Sequence, residues 1–309
     1  MALVRKVKAT IAKRTHARAG KVAAGPPLPT SMKKPNLDPL SYTFWVYGRP
    51  GIGKSTLAAS WKDIIMFSCE RVSPGLVCYD YNAENGGVTS WNIFLAGAHQ
   101  LKTTKHGFRV VGIDTAEALY QLCMNHVCEA LHITHPQDMP YGKGWSEVRK
   151  EFTRGLRLLA DQNLSLLFIS HAKEVEITSI SGSSFTRIQP NVPGAAYDIF
   201  KRITDFVFYV EYVTDKAGNN RRVLITAGDE IIDAKRAVDL PHFLPLLKGK
   251  GYQTIEAAIA GKPVGISDSD ILPRRSGGDV GQRLIREVKK EGGTSGQDKK
   301  KKLLHRRNG

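Results

Sequence analysis

The sequence predicts an α/β protein: a mostly parallel sheet flanked by helices, with a C-terminal hairpin and two basic, disordered tails. Three observations carry this. Apolar strand-like runs alternate with helix-like patterns through the middle of the chain. Gly48-Arg49-Pro50-Gly51-Ile52-Gly53-Lys54-Ser55 sits between a strand pattern and a helix pattern. The apolar run from Phe108 to Ile113 ends in the acid Asp114.

The elements follow in order. Strand signals lie at 42–47, 75–80, 108–113, 164–170, 205–211 and 221–227. Helical patterns lie between several of them, at about 54–66, 88–101, 115–131 and 145–162. Strands that alternate with helices pair in parallel, because each helix crosses back over the sheet. The last two strands are separated by the polar link 215–220, which reads as a hairpin. Residues 241–262 read as a small peripheral helix and loop.

The 309 residues divide by composition into an arm (1–37), a central domain (38–272) and a tail (273–309). The net charge of +16 is uneven: the arm carries +9, the tail +8 and the central domain −1. Such tails are too polar to bury enough apolar surface to fold alone. Their charge suits sequence-independent contact with a phosphate backbone, and the competing reading is a solvated solubility tail. Leu3, Val7 and Ile11 among basic residues also match a transit peptide, which leaves the basic C-terminus unexplained. No apolar run reaches the roughly 20 residues of a membrane span, and no secretory segment is evident, so a cytoplasmic location without membrane contact is expected. Cys123, His126 and Cys128 have spacings that invite a zinc reading, but they fall in a helical pattern that turns the two cysteines to different faces.

The glycine-rich run has the spacing G-x-x-x-x-G-K-[ST] of a phosphate-binding loop. Gly48, Gly51 and Gly53 let the backbone wrap a phosphate closely; Arg49, Pro50, Ile52 and Thr56 complete the cradle. Lys54 supplies a point charge, and Ser55 a hydroxyl for Mg²⁺. Asp114, at a strand's C-terminal end, is the expected second metal group; its alternative is a helix cap. ATP and Mg²⁺ are thus the expected ligands. Hydrolysis needs a group that orients water, and Glu84 in the loop after the 75–80 strand is the candidate, with Asp80 second. Ser170 and His171 end the 164–170 strand and are candidate sensors of the terminal phosphate; His171 also reads as an ordinary buried histidine.

Five segments in order carry a family resemblance: Gly48–Thr56, Asn82–Gly86, Val110–Thr115, Tyr141–Trp145 and Ile169–Glu174. Over about residues 40–245 the chain resembles the RecA-core NTP-binding recombination ATPases of bacteriophages, in the single-strand annealing group. The resemblance implies a RecA-like P-loop core and a DNA-stimulated ATPase that binds single-stranded DNA in phage recombination, by annealing or strand exchange. It also implies a ring or filament of identical subunits, a single-strand binding protein as possible partner, and a bacterial host cytoplasm. A helicase or helicase loader is the alternative. In RecA-like cores mobile loops hold DNA, and segments 132–145 and 172–198 occupy comparable places. A short hairpin, 175–178 with 185–188, is the competing reading of the second. Lys143, Lys173 and Arg187 are the candidate phosphate contacts there, and Tyr141, Trp145 and Phe185 the candidate stacking groups. Lys235 and Arg236 are candidates for a finger that reaches a neighbouring subunit's nucleotide, although they are adjacent where relatives separate the pair by one residue.

Overall fold

A computed structural model describes residues 27–71, 74–179, 182 and 184–272. Residues 1–26 of the predicted arm and the whole predicted tail lie outside the described residues. The chain divides after Pro35, and the unit that begins at Asn36 carries the sheet.

β1 (Phe44–Gly48) is buried at every position and lies mid-sheet. It pairs in parallel with β5 (Ser165–Thr178) on one side and β7 (Phe206–Thr214) on the other. Beyond β5 come β4 (Val110–Asp114), β2 (Ile64–Ser68) and the short β3 (Tyr79–Asp80), all parallel. Beyond β7 come β8 (Asn220–Ile225) and β9 (Phe243–Pro245), both antiparallel. The mostly parallel sheet and the C-terminal hairpin are therefore as expected. One strand, β5, stands between the strand that feeds the glycine loop and the strand that ends in Asp114.

Helices cover both faces. The short α1 (Lys54–Ala58) and α6 (Gly251–Ile259) pack one face around Phe44, Val46, Phe206 and Phe208. The other face takes α2 (Trp91–Thr103), α3 (Ala116–Ala130), α4 (Lys143–Ala160) and α5 (Gly194–Ile203). Ser90 and Thr115 cap α2 and α3 through their side-chain oxygens, which satisfy first-turn N–H groups. Buried aromatic rings at Trp45, Trp91, Phe152 and Phe200 join these helices to the sheet.

Three expectations are corrected. The helix expected at 54–66 ends at Ala58, and Ile64–Ser68 is the buried strand β2. A continuous apolar run of this length has no periodicity that separates strand from helix, and burial on both faces decides for strand. The strand expected at 75–80 shrinks to Tyr79–Asp80. The long loop expected at 172–198 is instead the antiparallel hairpin of β5 with β6 (Ser184–Pro190), followed by α5; Val175 pairs with Arg187 and Thr178 with Ser184. The segment 132–145 holds two 3-10 turns, Pro136–Asp138 and Pro140–Gly142, before α4 begins.

Asp233 anchors the hairpin. Its carboxylate is buried and takes hydrogen bonds from Tyr197 (2.5 Å), Arg187 (3.3 Å) and Lys201, while its backbone oxygen accepts from Tyr47 (2.7 Å). One acid thus joins β6, α5 and β1. Asp233→Ala is expected to cost about 2–3 kcal/mol, less than a fully buried pair because Arg187 and Lys201 keep partial solvent access. Urea denaturation of the variant measures this, and an unchanged midpoint contradicts it.

Candidate functional site

The site grows from the end of β1. Gly51 and Gly53 have φ of +74° and +98°, a region that side chains with a Cβ rarely adopt. At Gly53 a Cβ would also lie 2.6 Å from Arg222 Nη1, so the guanidinium would have to shift. The loop therefore turns tightly into α1, whose first residues are Lys54 and Ser55.

Lys54 is buried, and its Nζ donates to the loop's own carbonyls at Gly48 and Arg49, both at 3.0 Å. Burial pushes its pKa down, opposed by the carboxylates of Asp114, Glu117 and Glu70. Ser55 Oγ donates to Asp114 Oδ2 at 2.5 Å. Burial pushes the Asp114 carboxyl above the usual carboxylate range, opposed by the Ser55 bond and the Lys54 charge. These groups line a cleft of about 430 Å³ together with Pro50, Gly51, Thr56, Glu70 and His171.

The donor chemistry fits Mg²⁺. A hydroxyl and a carboxylate oxygen converge at hydrogen-bond distance beside a loop built for an anion, and Mg²⁺ takes hard oxygen ligands with few protein contacts. Ser55 and Asp114 are the residues that would hold it.

A second group of side chains completes the cleft. His171 pairs with Gly48 across the β1–β5 register. Glu117 Oε1, on the first turn of α3, accepts from the His171 backbone N–H (2.8 Å) and from Nδ1 (2.7 Å). Thr115 Oγ1 donates to Glu70 Oε1 at 2.9 Å. Ligand atoms of Glu70, Glu117 and His171 all lie within 4.8 Å of one another.

The structure thus brings together Gly48–Thr56, Asp114 and His171. It does not bring Glu84 or Ser170 to them. Glu84 is exposed on a 3-10 turn (Ala83–Asn85) and does not line the cleft. Asp80 is bound to Ser68 Oγ at 2.7 Å. Ser170 is fully buried and accepts from the Trp45 indole at 2.9 Å. Adjacent strand residues face opposite ways, so only one of Ser170 and His171 can reach the cleft. Glu70 and Glu117 were missed. Glu70 lies two residues past β2, the strand hidden in the expected helix; a strand ending in Ser68-Cys69-Glu70 is the signal that would have found it.

The other predicted groups are held internally. Lys173 Nζ donates to the Val192 carbonyl (2.7 Å), and Arg187 to Asp233. Lys235 Nζ donates to the carbonyls of Lys201 (3.2 Å) and Thr204 (2.6 Å). Arg236 bonds the Leu240 carbonyl and pairs with Asp239 at 3.2 Å. Lys143 is exposed at the start of α4, beside Tyr141, whose side chain is 98% exposed. Among the described residues no helix is long and apolar enough to cross a membrane.

The AAA domain family (AAA_24) matches residues 40–238. No curated protein sequence matches the chain. A solved KaiC-like protein from the hyperthermophilic archaeon Pyrococcus horikoshii OT3 aligns at 12% identity and a TM-score of 0.35, over 75% of this chain and 90% of that one. The fold is a mostly parallel sheet flanked by helices, with the glycine loop at the C-terminal end of β1.

Because the Asp114 pKa is raised in the fold, its ionised form costs stability. The contribution is favourable below the unfolded-state pKa and is lost as pH rises through the folded-state value. Asp114→Asn keeps an oxygen for Ser55, so it is expected to raise the denaturation midpoint of the nucleotide-free protein at neutral pH. The gain should vanish on acidification below the carboxylate range; a lower midpoint at neutral pH contradicts this.

Proposed function

The chain belongs to the AAA domain family, and from that premise we propose that it is an Mg²⁺-dependent ATPase that acts on single-stranded DNA in phage recombination. The observation that carries the ATPase reading is the 2.5 Å bond between Ser55 and Asp114 beside the buried Lys54 ammonium. Lys54 and the loop N–H groups bind the phosphates, and Mg²⁺ supplies charge neutralisation when bound.

In this reading Glu70, rather than Glu84, orients the attacking water. It lines the cleft and is steadied by Thr115. His171 reads the terminal phosphate: Glu117 holds Nδ1, which leaves Nε2 for a phosphate oxygen. Glu117 therefore acts as a positioning residue for His171.

The DNA reading rests on charge and on exposed groups. Basic charge is concentrated at 1–37 and 273–309, outside a nearly neutral centre. Tyr141 and Lys143 offer an exposed ring and cation at one turn, a pairing that suits stacking and phosphate contact. Lys173 and Arg187 recede as contacts, since their charges are already engaged.

Glu70→Gln is expected to lower ATP turnover by about 100-fold or more, while Glu84→Gln stays within about twofold. Equal losses in the two variants contradict the role given to Glu70. Steady-state phosphate release with and without single-stranded DNA tests the rest: turnover should rise with DNA. DNA affinity should fall steeply with salt, and removal of residues 1–26 and 273–309 should flatten that dependence. Turnover indifferent to DNA and an unchanged salt slope together overturn the DNA reading; unwinding of a forked duplex moves the function to a helicase.

A further inference from the structure

A phosphate chain has a direction in this cleft. Asp114 and His171 are carried by β4 and β5, which lie on one side of β1. The groups suited to metal and terminal phosphate are therefore on that side. A nucleoside bound with its terminal phosphate there would extend over the other side of the loop, where β7 and β8 follow β1.

Tyr212 and Arg222 are directly opposed in the antiparallel β7–β8 pair, so their side chains share a face. It is the α1 face: Val210 and Leu224, two residues inward on each strand, are buried in the same cluster as Ile52 and Leu57. Arg222 is seated against the phosphate loop. Its Nη1 donates to the Ile52 carbonyl at 3.2 Å and its Nη2 to the Leu246 carbonyl at 3.5 Å. Tyr212 is 52% exposed and Leu247 55% exposed. A guanidinium held against the phosphate loop and an exposed phenol ring opposite it in the strand pair are groups on which a purine stacks.

We propose that Tyr212, with Arg222 beside it, forms the platform for the base of the bound nucleotide. The inference rests on the phosphate-loop reading above and adds the specificity side of that site. Arg222 serves twice: its bond to the Ile52 carbonyl braces the loop, and its guanidinium offers a surface to the base.

Calorimetric titration of the full chain with Mg·ATP and with Mg·tripolyphosphate tests it, in wild type, Tyr212→Ala and Tyr212→Phe. Tyr212→Ala is expected to weaken ATP about tenfold or more, with tripolyphosphate affinity unchanged and Tyr212→Phe close to wild type. Unchanged ATP affinity in Tyr212→Ala overturns the platform, as does an equal loss for tripolyphosphate. A wild type that binds both ligands equally also overturns the platform but leaves the loop reading standing. A wild type that binds neither overturns both.

Discussion

The hydrogen bond from Ser55 to Asp114 is the interaction on which the rest of the site depends. It joins the first turn of α1 to the tip of β4, two elements whose strands are not neighbours. β5 runs between them, and its register sets His171 level with Gly48 and Ile169 level with Asp114. A one-residue slip of β5 would turn His171 into the helical layer and Ser170 toward the cleft. The buried Trp45 indole opposes that slip, because it needs the Ser170 hydroxyl as its acceptor.

The charges of the cleft are arranged around this bond. Three carboxylates, Glu70, Asp114 and Glu117, surround the single buried ammonium of Lys54. Burial works against both charges, lowering the lysine and raising the aspartate. A protein that sought only stability would replace this buried charge arrangement with apolar groups. Its retention in a polar cleft fits chemistry in which a cation and a polyanion complete the balance.

The phosphate loop and Asp114 were legible in the sequence because their signals are local: a fixed spacing in one case, an acid after an apolar strand in the other. The alternation of elements was legible for the same reason. What was hidden depended on tertiary context. β2 is a short apolar run that begins six residues after the end of α1, so it, and Glu70 beyond it, passed as helix and loop. Asp233 is an acid in a loop with no motif around it, and only the fold collects Tyr197, Arg187 and Lys201 there. That same collection withdraws Arg187 from the solvent contacts its exposed-looking sequence context implied.

β5 runs without a break from Ser165 to Thr178, passing through His171 at its middle and ending in the β5–β6 hairpin. Seven residues separate the histidine from the strand's end, roughly 23 Å of extended chain. The cross-strand ladder from Ala172–Pro190 to Thr178–Ser184 ties the two strands together along that length. A displacement of the strand at His171 would therefore be carried along both strands toward the tip of the hairpin, away from the cleft.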